Sequence, residues 1–153
     1  MLFRSSAFYV YLLAYEDRLC ELQLRSIGGG SIAPMITHLF TGGVIFESLL
    51  KHFYPNKDDG NPTKTLGDIF LTCAFTDDFV TGLSTSASSI QDILSSINDN
   101  SLHVAFSTAA KLRNTTGHNL IWDDRFANPD QYSLLFYQEI NALLYLISTK
   151  FRP

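Results

Sequence analysis

Residues Arg113-Asn114-Thr115-Thr116-Gly117-His118 bring together side chains that can handle a phosphate ester without a metal. Arginine keeps its proton at physiological pH and offers a two-pronged fork to phosphate oxygens. Histidine titrates near neutrality and serves as general base or general acid. Asn114 adds a hydrogen-bonding group able to hold the imidazole or the phosphate. Elsewhere the chemistry is thinner. His38 and His52 are too far apart for an i, i+4 metal pair, and Gly28-Gly29-Gly30 lacks the Lys-Ser/Thr that a phosphate loop requires. His103 reads as a surface or packing residue. Asp77-Asp78 and Asp123-Asp124 read as solvated loop acids. No metal and no cofactor is expected.

The elements that must position this segment are helices. A chain of 153 residues, 46% hydrophobic and 17% charged, has the composition of one globular domain, here spanning residues 1–153. Its first helix, over about residues 5–25, carries Phe8, Tyr11, Leu12, Tyr15, Leu19 and Leu22 at spacings of three and four. The glycine run then ends it. Ser31 and Pro34 start a second helix that runs to about Tyr54, interrupted by Gly42 and Gly43. Two mid-helix glycines imply either close approach of a neighbour or a kink.

Residues 55–62 form a turn-rich loop, and short helices are expected near Thr65–Leu71 and Ile90–Ile97. Asn98–Ser101 caps the helix whose stripe of Leu102, Ala105, Phe106, Ala109 and Leu112 ends at the motif. Asn128-Pro129-Asp130 opens the last helix. With no alternating strand in the sequence, the fold class is all-α: a bundle of four main helices plus one or two short ones.

An Arg, a polar residue directly after it, and a His after a short fixed gap resemble the R-x4-6-H motif of HEPN domains. These are small α-helical domains, many of them metal-independent ribonucleases. Arg113, Asn114 and His118 carry the resemblance, and the order of helices follows it over most of the chain. It implies an endoribonuclease giving 2′,3′-cyclic phosphate and 5′-hydroxyl ends, with catalytic Arg113, Asn114 and His118. It further implies a homodimer with two motifs in one cleft, and a toxin-antitoxin or antiphage-defence setting with a companion protein. Lys111 and Trp122 are the expected RNA contacts, by charge and by base stacking, and Lys150 and Arg152 add further local positive charge. Two other readings stand beside this one. The same fold would serve as a non-catalytic module binding a partner protein or a nucleotide, or the chain is an unrelated helical bundle with Arg113 paired to Asp123 or Asp124.

A geometric condition attaches to the motif. On an unbroken helix, positions five apart differ by about 140° around the axis. Arg113 and His118 therefore converge only if Gly117 distorts the turn, if the arginine side chain reaches along the helix, or if a second copy supplies the partner.

The remaining features bound the setting. A net charge of −4 and a pI near 5.4 exclude a general nucleic-acid coat. Twelve Phe and seven Tyr favour an oligomer interface. Cys20 and Cys73 read as buried free thiols of a reducing compartment, and the short apolar run of the first helix reads as a buried helix of a cytoplasmic protein rather than a leader or a membrane span.

Overall fold

Among the described residues, periodic apolar residues and punctuating caps produce six helices: α1 (Leu2–Gly28), α2 (Ala33–Phe53), α3 (Leu66–Thr72), α4 (Ile90–Ser95), α5 (Leu102–His118) and α6 (Pro129–Lys150). The structure is a computed structural model that describes residues 2–28, 32–73, 80, 83–118, 126 and 128–150; side chains are described for 6–24, not for His118, and to 149 in α6. The fold is all-α, and among the described residues there is no strand, only an isolated bridge between Asn56 and Pro62.

The caps follow the sequence. Thr65 and Asp68 form a reciprocal capping box ahead of α3. Asn128 Oδ1 accepts from the Gln131 amide at 3.2 Å, and Pro129 is the first residue of α6. Ser101 Oγ accepts from Val104 N at 3.2 Å at the start of α5. The cap of α2 is Ile32, which makes no side-chain hydrogen bond; the expected cap Ser31 lies outside the described residues. So do Gly29, Gly30, Asp77, Asp78, Asp123 and Asp124.

α2 is the central helix and packs on α1, α5 and α6. Met35, Ile36, Leu39, Phe46 and Leu50 of α2 meet Phe106, Ala109 and Leu112 of α5 and Tyr132, Leu135 and Leu143 of α6 in one buried core. α2 is also long and apolar enough to cross a membrane by length and composition, and more than half of that stretch is buried inside the bundle.

Gly42 and Gly43 are explained by close approach. A Cβ at Gly42 would stand 2.6 Å from the Tyr11 ring and hydroxyl and would strike a Glu139 oxygen. At Gly43 it would lie 2.8 Å from Arg113 Cβ and 2.9 Å from Arg113 Cα, so α2 and α5 touch backbone to backbone.

Two expectations are corrected. α1 is not a buried helix: Tyr11, Tyr15 and Leu22 are buried, but Tyr9, Val10, Leu13 and Leu24 are exposed. Cys20 is exposed and Cys73 half-buried, so the thiols are free but not buried. The stripe of α1 read from sequence does face the core, and apolar residues outside that stripe lie on the exposed side.

Candidate functional site

The motif occupies the last turns of α5, which stays helical through His118. Gly117 does not take the left-handed conformation that would have swung His118 back; among the described residues Gly60 is the glycine with positive φ. Its lack of a side chain serves another purpose. A Cβ there would stand 3.0 Å from Arg113 Nη1 and 3.3 Å from Phe40 Cε2. The arginine side chain thus runs along the helix, across the bare surface of Gly117, toward the turn that ends in His118. The reach of Arg113, rather than a broken helix, brings the guanidinium to that turn. The imidazole of His118 itself lies outside the described residues, as does Trp122.

Two further groups hold the guanidinium, Glu47 and Phe40, and Lys51 in turn engages Glu47. Arg113 Nε donates to Glu47 Oε2 of α2, and Glu47 Oε1 accepts from Lys51 Nζ at 2.7 Å. Phe40 lies under the guanidinium, with Arg113 Cζ 5.9 Å from its ring centroid. Glu47 is buried, whereas the Arg113 side chain is 28% exposed, so the cation remains open to solvent on one side. Two cations on one carboxylate leave the cluster with a net charge of +1, a local positive spot on an acidic chain. Arg113 pairs with Glu47, and Asp123 and Asp124, the partners considered from sequence, lie outside the described residues.

Sequence reasoning missed Glu47 and Lys51. Their signal was available: a lone acid set among Phe46, Leu49 and Leu50, in phase with the buried arc of α2, and four residues before a lysine. Nothing local, however, links Glu47 to an arginine 66 positions away.

Asn114 turns away from Arg113. Its Nδ2 donates to the Thr85 carbonyl at 3.0 Å, Thr115 Oγ1 donates to the Ala87 carbonyl at 3.3 Å, and Ser107 Oγ donates to the Ser84 carbonyl at 3.4 Å. Together these tie segment 83–87, which forms no helix or strand, to α5. Asn114 is therefore a fastener in this structure, bonded to segment 83–87 while Arg113 is bonded to Glu47. Lys111 is half-exposed on the same helix and close enough to Asp92 to help hold its carboxyl below the usual range, after the stronger effect of Ser88. Lys150 and Arg152 have no described side chains.

A second polar cluster lies where α1, α2 and α6 meet. The Tyr11 hydroxyl donates to Glu139 Oε2, and the Tyr11 carbonyl accepts from His38 Nε2 at 2.7 Å. A carbonyl only accepts, so Nε2 carries the proton and Nδ1 accepts from the Tyr132 hydroxyl at 2.6 Å. Burial pushes the Glu139 carboxyl well above its usual range, with the Tyr11 hydrogen bond working against that rise. Burial pushes His38 down, partly offset by its bond to the Tyr11 carbonyl. His38 is consumed by structure, with both ring nitrogens engaged. Glu139 Oε1 has no hydrogen-bond partner among the described residues.

Among the described residues no group of three His, Cys, Asp or Glu side chains is arranged to hold a metal. No protein family, curated protein or solved structure matches the chain.

Proposed function

We propose that the chain is a metal-independent endoribonuclease of HEPN type, with Arg113 holding the scissile phosphate and His118 transferring the proton. The observation that supports this reading is the course of the Arg113 side chain over Gly117 toward the turn of His118. Glu47 engages Nε and Phe40 supports the flat face. The guanidinium is thereby oriented before a ligand arrives, which lowers the entropy cost of binding. A phosphate would meet Nη1 at the turn that ends in His118, where charge develops on the phosphorane. Two copies would supply one histidine as base and one as acid, as the resemblance implies for a cytoplasmic homodimer held in check by a companion protein.

A second reading is favoured by the same Glu47. An arginine whose charge is met by a buried carboxylate also serves to fasten α5 to α2. The chain is then a non-catalytic module that binds a partner protein or a nucleotide. RNA cleavage in EDTA separates the two. The enzyme reading expects wild type to leave 2′,3′-cyclic phosphate ends, with Arg113→Ala and His118→Ala inactive and His118→Ala unchanged in stability. No cleavage by wild type, or equal cleavage by all three, rejects it. A large loss of stability in Arg113→Ala without any cleavage in wild type supports the fastener.

A further inference from the structure

Among the described residues, Arg18 pairs with Glu21 at 2.8 Å and Lys57 with Asp68 at 3.9 Å, one cation to one acid. Glu47 is different, because Arg113 and Lys51 share its single carboxylate. Arg113 Nε engages Oε2, and Lys51 Nζ engages Oε1 at 2.7 Å. The Glu47 side chain is 9% exposed, whereas Arg113 is 28% and Lys51 35% exposed. The acid is covered, and one unmet positive charge faces solvent through two side chains.

The two helices set these groups in a line. At about 100° per residue, Phe40, Glu47 and Lys51 fall within about 40° of arc on α2. Gly43 meets the backbone of Arg113, while Phe40, three residues earlier, meets the far end of the arginine side chain beside Gly117. α2 and α5 therefore run antiparallel where they cross. The order along the crossing is the turn that ends in His118, the Arg113 guanidinium, Glu47 and then Lys51. Lys51 stands on the side of the guanidinium away from His118.

We propose that Lys51 holds a second phosphate of a bound single strand, next to the phosphate on Arg113 and on the side away from His118, so that the site takes an oligonucleotide rather than a lone phosphate. This rests on the reading of Arg113 as the holder of the scissile phosphate. The planar guanidinium suits the phosphate that must be held in register, and the compact ammonium suits a neighbour met as a point charge. Two cations in line, one carboxylate apart, match a chain whose phosphates recur at regular spacing. The lysine stem is flexible, so an incoming phosphate can draw Nζ off Oε1 while Arg113 Nε stays on Oε2. Until then, Glu47 holds together two cations that repel each other.

Anisotropy titrations of a labelled single strand without 2′-hydroxyls, which this route cannot cleave, test it over a salt series, with circular dichroism to check helicity. Each phosphate contact on a single strand contributes about 0.7 to the slope of log K against log salt. Lys51→Met should flatten the slope by about that amount, and Lys51→Arg should retain it. Arg18→Met, in the α1–α2 groove beside Pro34, should leave it unchanged. A dinucleotide with one phosphate should bind Lys51→Met and wild type alike. A wild-type slope in Lys51→Met, equal flattening in Arg18→Met, or a wild type that binds no oligonucleotide overturns the proposal. So does a wild type that takes an oligoglutamate peptide through Lys51 and no oligonucleotide, which would give the pair to an acidic protein partner. The ribonuclease reading fails separately. A Lys51-dependent slope without cleavage of the ribose form of the strand in EDTA rejects cleavage and keeps the contact; cleavage with an unchanged slope does the reverse.

Discussion

Replacing Gly117 by alanine should raise stability slightly while lowering cleavage, a combination that ordinary damage to a fold does not produce. Gly117 is an exposed helical residue. Alanine is worth about 0.8–1.0 kcal/mol over glycine inside a helix, and roughly half of that in a final turn that frays. Against this gain, the new Cβ meets Arg113 Nη1 at 3.0 Å and Phe40 Cε2 at 3.3 Å. Ordinary contact lies at about 3.5–4.0 Å, so the guanidinium must withdraw. It is the end of a flexible chain, and its partial loss from the Phe40 face costs up to about 0.5 kcal/mol. The net change is therefore between zero and about +0.5 kcal/mol, or up to about 2 °C in Tm for a chain of this size. For function the withdrawal matters more, because a misplacement of about 1 Å in a positioned group costs on the order of 100-fold in rate. Urea denaturation and RNA cleavage in EDTA, run on the same preparations, give both numbers. A Gly117→Ala protein that cleaves like wild type, or that loses more than about 1 kcal/mol, refutes the argument that Gly117 is bare to let Arg113 pass.

Other outcomes follow from the packing. Gly43→Ala drives a methyl into the α5 backbone, and overpacking of about 1–3 kcal/mol should outweigh the helix gain of about 1; a stabilised variant would show that α2 and α5 do not cross so closely. Asn114→Ala removes the bond to Thr85 and should cost about 1 kcal/mol, with hydrogen exchange faster at 83–87 and unchanged at Phe106; uniform acceleration would mean that Asn114 supports the whole helix instead. The pH profile carries two opposed contributions. Glu139 is raised from 4.5, so its stabilisation is present at acid pH and drains away as pH rises toward its folded value. His38 is lowered from 6.5, so its contribution is present above that pH and lost as pH falls through its folded value. Glu139→Gln should abolish the decline on the alkaline side and keep the loss on the acid side. A variant with the wild-type slope above about pH 6.5 would remove Glu139 as its source.

The helices were legible because their apolar periods and caps are local: Asn128-Pro129 and Thr65–Asp68 lie within single turns. The motif was legible as residue types at a spacing. Its support was not, because Glu47 and Arg113 meet only through the α2–α5 crossing, and Tyr11 reaches Glu139 across 128 positions. The role of Gly117 was half legible. Glycine announced that something special happens there, but glycine serves equally where backbone turns left-handed and where a neighbour needs space. The core side of α1 was legible, since Phe8, Tyr11, Leu12, Tyr15, Leu19 and Leu22 keep one helical phase and pack on the core; the further apolar residues Tyr9, Val10, Leu13 and Leu24 fall outside that phase and are exposed.

The tandem glycines of α2 carry a consequence for how this sequence can vary. Gly42 faces the Tyr11–Glu139 pair of α1 and α6 and Gly43 faces Arg113 of α5, so two neighbouring residues about 100° apart around the axis serve three other helices. A one-residue deletion earlier in α2 would bring Gly43 to face the Tyr11–Glu139 pair and Val44 to face Arg113. The arginine of α5 would then meet a branched side chain where the α2 and α5 backbones touch. α2 therefore has a single workable rotational phase. Within α2 an insertion or deletion ahead of Gly43 thus disturbs packing that a substitution on the exposed face leaves alone.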